Sequence, residues 1–205
     1  MLFRSSKGQY ELAKGKPTMR EFFEQDGPVC MDCPFAVSNG AKLTACYTHK
    51  VMQYSGFLSS LRSIARKYPD FKSIPYLDDA MADTIVGMSA GRYVRFGSYG
   101  EPTLIPVELV SRICKVASSW TGYTHQFMKQ KSFAPFFMAS THSSLEDMVA
   151  RVNGFRSFCA TSATIDDMVH CPASKESGKA TSCSRCGLCS GMDGKTNKSI
   201  NIIIH

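Results

Sequence analysis

Residues 135–160 read PFFMASTHSSLEDMVARVNGFRSFCA, and this stretch decides the predicted fold. The short apolar runs at 135–139 and 155–160 are typical of buried strands. Between them, Ser143 and Glu146 form a capping box that opens a helix. Four apolar residues recur there at helical spacing: Leu145, Met148, Val149 and Val152. The order strand, helix, strand predicts two parallel strands joined by a crossover helix.

The same alternation extends over residues 47–160. Helices are predicted over 47–67 and 77–88, after Pro106 and after Ser143, and strands over 92–96, 121–127, 135–139 and 155–160. About four βα units result, fewer than the eight of a complete barrel of about 250 residues. We therefore expect an α/β fold, with an open or partial βα barrel over residues 1–165 and a Cys-rich, metal-binding appendage over 166–205.

Two shorter elements flank this alternation. Thr18 and Glu21 form another capping box, and the helix that it opens is predicted to end at 26–28, where Asp-Gly-Pro is a strong stop signal. Near the C-terminus, the apolar run at 200–204 predicts a final strand.

Composition places the chain among folded proteins that need no membrane. It has 205 residues, 43% of them hydrophobic, 20% charged residues and a formal net charge of +7. No run of 18 apolar residues and no signal peptide are found, so we expect a cytoplasmic protein. The positive charge is compatible with a nucleic-acid partner, although it is spread along the chain without a basic run.

The strongest chemical signal is a group of cysteines near the C-terminus. Cys171 precedes a proline, and Cys183, Cys186 and Cys189 follow at two-residue intervals. In a reducing compartment such cysteines indicate metal ligands rather than disulfides. The triple run favours an iron–sulfur cluster over a zinc ion, and free surface thiols are the remaining alternative. His205 is a candidate zinc ligand or an exposed terminal residue.

A second group comprises Cys30, Cys33 and Cys46. Three cysteines can bind three irons of a [4Fe–4S] cluster and leave the fourth iron open to a small molecule. Cys46 is expected near a helix N-terminus, where a thiol pKa is lowered. The alternatives are a zinc site completed by His49, or simply buried cysteines. Two further cysteines are predicted to be small core residues: Cys114 and Cys159.

The glycine-rich turn at 97–104, GSYGEPTL, resembles the GEP motif of radical S-adenosylmethionine enzymes. In that family, three cysteines follow the first strand, and an aromatic residue and a helix follow the last cysteine. Cys46 followed by Tyr47 is similar. The family pattern CxxxCxxC differs from the spacing here, in which 12 residues separate Cys33 from Cys46. The resemblance implies a full or partial βα barrel, and many members carry a C-terminal auxiliary cluster.

The chain also resembles a family of small phage and bacterial proteins. The shared segments are GYTHQ at 122–126 and a C-terminal CPAS…CxxCxxC…H pattern. This resemblance covers most of the chain and implies no reaction. A phage-encoded protein of this kind would act in the host cytoplasm.

The first resemblance implies a role for each matching residue. Cys30, Cys33 and Cys46 would hold a [4Fe–4S] cluster whose open iron chelates the methionine part of S-adenosylmethionine. The turn would receive the cofactor's amino group through Glu101 and the neighbouring backbone, a set comprising Gly97, Gly100, Glu101 and Pro102. A second cluster would lie at the C-terminal cysteines. The substrate would be a nucleic acid or a nucleotide.

His125 follows a predicted strand, where active sites of βα barrels lie. It is a candidate catalytic residue for substrate binding or proton transfer, with a hydrogen-bonded structural histidine as the alternative.

Two other functions compete with the radical enzyme. One is a zinc-dependent, base-exchanging transglycosylase of the tRNA or phage DNA kind, with a C-terminal zinc site at Cys183, Cys186, Cys189 and His205. The other is a non-catalytic phage factor that binds nucleic acid or protein, in which a metal only stabilises the C-terminal segment.

Overall fold

The computed structural model describes residues 5–46, 48–192, 194 and 196–203, apart from the side chains of residues 51 and 52. The described residues form two compact units. The first comprises those up to Asp79 together with Ser98–Glu101, and the second comprises Ala80–Gly97 and those from Pro102 onward. No described helix has the length and apolar character needed to cross a membrane.

The α-helices in the described part of the first unit are α1 (Lys7–Ala13), α2 (Met19–Phe23), α3 (Gly27–Cys30) and α4 (Val51–Lys67). The capping box at Thr18 is confirmed, because its hydroxyl accepts the Glu21 N–H while the Glu21 carboxylate accepts the Thr18 N–H. The predicted stop at 26–28 is wrong in detail. Helix α2 ends at Phe23, and Gly27-Pro28 opens α3, since a first-turn proline has no N–H to leave unpaired.

The core of this unit joins α2 to α4 through aromatic and aliphatic side chains. Phe22, Phe23 and Leu61 are fully buried, and Tyr54 and Tyr99 pack against them. The rings of Phe57 and Tyr99 stack at a centroid distance of 4.6 Å. Burial of these rings supplies most of the stabilisation available to so small a unit.

The second unit carries the strands. Its α-helices are α5 (Asp79–Ser89), α6 (Val107–Val116), α7 (Ser144–Val152) and α8 (Cys183–Cys186). Its strands are β1 (Tyr93–Arg95), β2 (Ser119–Thr121), β3 (Tyr123–Thr124), β4 (Met138–Thr141), β5 (Ser157–Thr161), β6 (Val169–His170) and β7 (Ile200–Ile203). β1 and β2 form one parallel pair, and the other five strands form a parallel sheet in the order β3-β4-β5-β7-β6. The mixed α/β class with parallel strands is confirmed.

Helix α7 differs from its expected orientation. Three of its four predicted apolar positions are exposed, Leu145 at 70%, Met148 at 62% and Val152 at 87%, whereas Asp147 and Ala150 are buried. The Asp147 carboxylate accepts hydrogen bonds from the hydroxyls of Ser157 and Ser199. A polar contact with the sheet therefore sets the buried side of this helix, and the apolar spacing does not.

The C-terminal segment is built into the sheet. β7 lies between β5 and β6, so residues predicted to form an appendage supply two of the five strands. Arg156, which precedes β5 and is fully buried, holds this segment through its guanidinium group. Nε donates to the Lys198 carbonyl at 2.8 Å, Nη1 to Gly191 at 2.7 Å and Nη2 to Leu188 at 2.9 Å.

Because these three bonds fix both flanks of the segment, we expect Arg156→Ala to lower the free energy of unfolding of the second unit by about 3 kcal/mol. Urea denaturation followed by the fluorescence of Trp120, the single tryptophan, measures this value. The exposed Arg185 gives the control, since Arg185→Ala should change the value by less than about 0.5 kcal/mol. Equal effects of the two variants would contradict the anchoring role of Arg156.

Candidate metal centres

The first cysteine group lies on two short backbone turns of the first unit. Cys30 ends α3, and the Cys33 N–H donates to the Cys30 carbonyl at 3.2 Å. In the second turn, the His49 N–H donates to the Cys46 carbonyl at 3.0 Å. Cys46 does not lie at a helix N-terminus as predicted, because α4 begins only at Val51 with Lys50 as its N-cap. Tyr47 is outside the described residues.

Burial and the charges of other acidic groups both act on the thiols of Cys30 and Cys33. Burial raises the pKa of the Cys30 thiol, and the charges of Asp26, Cys33, Cys46 and Glu101 raise it further. Burial likewise raises the pKa of Cys33, to about 11. The thiols of Cys30 and Cys33 are therefore harder to ionise, first because they are buried and then because other acidic groups act on them. A bound cation would reverse that effect, since it favours every thiolate and carboxylate around it.

Two buried polar atoms beside these thiols have no hydrogen-bond partner among the described residues. Asp26 is fully buried, and its Oδ1 accepts from the Ser38 N–H at 3.2 Å and the Ser38 hydroxyl at 2.5 Å, while Oδ2 has no partner. His49 is 7% exposed, and its Nδ1 also has none. Burial lowers the pKa of His49, and its ring makes a hydrogen bond with the Leu43 backbone. The lowered pKa favours the neutral imidazole, which is the form that binds metals.

Sequence reasoning missed Asp26, because its position before Gly-Pro suggested only a helix stop. The one available signal was its four-residue separation from Cys30, which places both on the same short turn of chain. The Cys30 N–H indeed donates to the Asp26 carbonyl at 2.8 Å.

The glycine-rich turn contributes Glu101 to the same group. Its N–H donates to the Val29 carbonyl at 2.8 Å, and Val29 is the neighbour of Cys30. Gly100 makes this approach possible: its φ is +84°, and a Cβ there would lie 2.4 Å from Val29 Cγ1. Glu101 is buried. The other two residues of the predicted cofactor set, Gly97 and Pro102, belong to the second unit.

The charges of the C-terminal cysteines also act on one another. Cys171 directly follows β6, Cys183 and Cys186 bound α8, and Cys189 follows α8 by three residues. Burial raises the pKa of Cys189 to about 12, with the charges of Cys171, Cys183 and Cys186 adding to the shift. Cys171 and Cys189 are buried in a core cluster with strand residues, whereas Cys183 is exposed.

The described residues contain no group of three or more His, Cys, Asp or Glu side chains arranged to hold a metal ion. Binding at either cysteine group would therefore require side chains to rotate toward a common point. The donor chemistry of both groups suits zinc or an iron–sulfur cluster, since each supplies at least three thiols. In the first group, the unpartnered atoms of Asp26 and His49 add to this fit. The predicted ligand His205 lies outside the described residues.

His125 lies in the second unit, directly after β3. Its ring stacks on that of His142, which follows β4, with centroids 5.8 Å apart and planes 23° apart. Both rings thus stand at the carboxyl edge of the parallel sheet, the edge at which open α/β sheets bind ligands. Sequence reasoning selected His125 and missed His142, although both directly follow strands.

The two cysteines predicted to be core residues, Cys114 and Cys159, are buried as expected. No family model, curated protein or solved structure matches this chain. The radical-enzyme and phage-protein resemblances therefore rest on the short motifs alone, and the geometry of the two cysteine groups carries the functional argument.

The raised pKa of Cys189 predicts a pH-dependent stability of the metal-free protein. An unfolded thiol ionises near pH 9, whereas Cys189 in the folded protein holds its proton to about pH 12. Stability is therefore complete below pH 9 and falls as the pH rises, by about 1 kcal/mol between pH 8 and pH 10. Urea denaturation with a chelator and a reductant, followed by Trp120 fluorescence, gives the slope. Cys189→Ala should flatten the slope relative to Cys183→Ala, and equal slopes would refute this origin.

Proposed function

We propose that this protein is an iron–sulfur enzyme of the radical S-adenosylmethionine-like kind, with its catalytic cluster held by Cys30, Cys33 and Cys46. The observation that carries the proposal is the position of Glu101. Although 54 residues lie between Cys46 and Glu101 in sequence, the Glu101 N–H donates to the carbonyl of Val29, the neighbour of Cys30, at 2.8 Å, and Glu101 is buried. The resemblance to radical S-adenosylmethionine enzymes implies such a carboxylate beside the cysteines that hold the cluster.

A [4Fe–4S] cluster, when bound, supplies one electron to S-adenosylmethionine. The chain's own residues would bind and orient the reactants. Glu101 would accept hydrogen bonds from the cofactor's ammonium group, a charge-assisted contact favoured by its buried position. Gly97, Gly100 and Pro102 would shape the turn that presents it. His125 in the second unit would bind substrate or move a proton.

The proposal also covers the arrangement of the parallel strands and a second metal centre at the C-terminal cysteines. The parallel strands would form an open or partial βα barrel, and the cysteines at 171, 183, 186 and 189 would hold an auxiliary cluster, with zinc as the alternative metal. Such clusters persist in a reducing compartment, so the proposal includes a cytoplasmic location, that of the host for a phage protein. Its substrate would be a nucleic acid or a nucleotide.

The proposal predicts that protein purified without oxygen contains about four or eight irons with matching sulfide, and that it binds S-adenosylmethionine. Cys30→Ala and Glu101→Gln should each abolish cofactor binding, because one removes a cluster ligand and the other the ammonium acceptor. Metal analysis and isothermal titration calorimetry measure both effects. Cys114→Ala, a buried cysteine of the second unit, is the matched control and should bind normally. Zinc alone, without iron, would overturn the radical enzyme and favour the zinc-dependent transglycosylase.

A binding function for nucleic acid has one specific observation in its favour. Arg62 of α4 contacts the backbone on both sides of Lys14, so two basic residues that are distant in sequence meet. We define the basic patch as these two residues and the basic residues near them in sequence: Lys14, Lys16, Arg62, Arg66, Lys67 and Lys72. Arg62 donates to the Ala13 and Gly15 carbonyls at 3.2 and 2.7 Å, and Lys14 donates to Pro69 at 3.1 Å. Glu11 pairs with Lys14 at 2.8 Å, and Asp70 lies in the same segment.

Six cations against two carboxylates leave a positive surface that suits a phosphate backbone. This patch would serve either a nucleic-acid substrate or a metal-stabilised, non-catalytic binding factor.

If the basic patch contacts phosphates, affinity for duplex DNA or RNA should fall steeply with salt. Arg66→Glu with Lys67→Glu should weaken binding at least tenfold, because two attractions become repulsions. Fluorescence anisotropy with a labelled duplex gives both quantities. Lys175→Glu with Lys179→Glu changes the net charge equally on exposed residues of the second unit and serves as the control. Equal losses in the two variants would indicate only a net-charge effect and refute the patch.

A further inference from the structure

The side chain of Gln126 is a buried amide to which the described residues give no hydrogen bond. Gln126 lies two residues after the end of β3 and is 2% exposed. Neither its Oε1 nor its Nε2 has a partner in the described part of the chain. Buried amides are nearly always bonded, because burial removes the hydrogen bonds that water would supply. This amide therefore has a carbonyl oxygen and an NH₂ group to offer a ligand.

The backbone of Gln126 is fixed, in contrast to its amide group. Its N–H donates to Oγ1 of Thr124 at 2.8 Å, and its carbonyl accepts the N–H groups of Lys129 and Gln130 at 2.9 and 2.8 Å. These three bonds hold the turn that leaves β3 and determine where the Gln126 side chain begins. A fixed backbone that carries an unbonded amide is the arrangement expected of a preorganised recognition group.

The turn lies at the carboxyl edge of the parallel sheet, where two aromatic rings meet. β3 pairs with β4, and the rings of His125 and His142, which directly follow these strands, stack with centroids 5.8 Å apart. Both histidines are half-buried, so each keeps some surface open to solvent. Histidine rings are among those on which nucleobases stack, and this edge is where open α/β sheets bind ligands.

Two lysines add positive charge to the same turn. Lys129 and Lys131 are exposed, and the backbone of Lys129 is bonded to that of Gln126. The Glu146 carboxylate, which accepts the His142 N–H at 2.6 Å, is the acidic group beside the histidine stack. Any amide or hydroxyl ligand could satisfy Gln126 alone. The stacked rings together with the two lysines favour a ligand that is flat and carries a phosphate group.

We propose that these residues form a nucleotide-binding site that recognises adenine. Nε2 of Gln126 donates to N7 of the base, and Oε1 accepts from the exocyclic amino group, which is the pairing that glutamine makes with adenine through both amide atoms. The base stacks on the imidazole rings, and Lys129 and Lys131 contact the phosphate. The inference rests on the nucleic-acid or nucleotide substrate of the proposed function, and it adds the base and the residues that bind it.

The nucleotide site shares no residue with the proposed S-adenosylmethionine site. Its residues all belong to the second unit, whereas Cys30, Cys33, Cys46 and Glu101 belong to the first. Loss of the cluster should therefore leave adenine binding intact. For this reason the two proposals can fail independently of each other.

Isothermal titration calorimetry of the full chain with adenosine monophosphate and inosine monophosphate tests the inference. The adenine nucleotide should bind more tightly by about tenfold or more, because inosine carries an oxygen in place of the exocyclic amino group. A single-stranded oligoadenylate is measured beside them. Tighter binding of the strand identifies nucleic acid as the source of the base, equal binding identifies a free nucleotide, and both results support the site.

Gln126→Met removes the amide and keeps a side chain of similar length. It should weaken binding of adenosine monophosphate by about tenfold or more. It should not lower the urea midpoint, because the amide makes no bond within the described protein. Gln130→Met, in the same turn, is the matched control and should bind normally. Unchanged affinity with a lowered midpoint would show that the Gln126 amide is structural, and this result would overturn the inference.

Two further variants separate the remaining outcomes. His142→Ala should weaken binding, and His142→Phe should restore it, since phenylalanine also stacks on bases. Cys30→Ala should lose S-adenosylmethionine and keep adenosine monophosphate. If the wild-type protein binds iron and S-adenosylmethionine but shows no preference for adenosine over inosine monophosphate, the proposed function stands and the nucleotide site falls. If the preference is present in protein that takes up no iron, the nucleotide site stands and the radical enzyme falls.

Discussion

The guanidinium group of Arg156 is the contact on which the second unit depends. It is a buried cation whose donors go to three backbone carbonyls of the C-terminal segment. That segment is rich in glycine, serine and lysine and has little apolar surface of its own to bury. Fixed at Leu188, Gly191 and Lys198, it can deliver β7 to the middle of the sheet and set Cys189 in the core beside Met138.

In both units, burial and neighbouring acidic groups oppose the ionisation of cysteine thiols. Burial raises the pKa of Cys30, Cys33, Cys171 and Cys189, and neighbouring acidic groups raise each further. A protein gains nothing in stability from collecting groups that oppose one another's ionisation. The arrangement would become favourable if a cation were shared among them, which is the physical argument for the proposed metal centres.

Several features of fold and site followed from local patterns. The capping box at Thr18 opens α2, and the alternation of helical and extended runs gives parallel strands, because consecutive parallel strands need a crossover between them. Other features could not be predicted from local sequence patterns. β6 is two residues long and has no readable period, and the apolar stripe of α7 faces solvent because Asp147 meets the serines of the sheet. Glu101 could be singled out by its motif, whereas Asp26 and His142 had no motif at all.

The sequence by itself determined which reactive groups are present: nine cysteines, seven of them in two spaced groups, a glycine-rich turn with one carboxylate, and an excess of positive charge. Spacing within a few residues fixes local turns, so the Cys30–Cys33 and Cys46–His49 pairs were already encoded. Only the tertiary structure decided that Glu101 lies beside the segment of Cys30, and that Arg62 lies beside Lys14. Those encounters depend on packing between distant segments, where burial and buried hydrogen bonds outweigh any local preference.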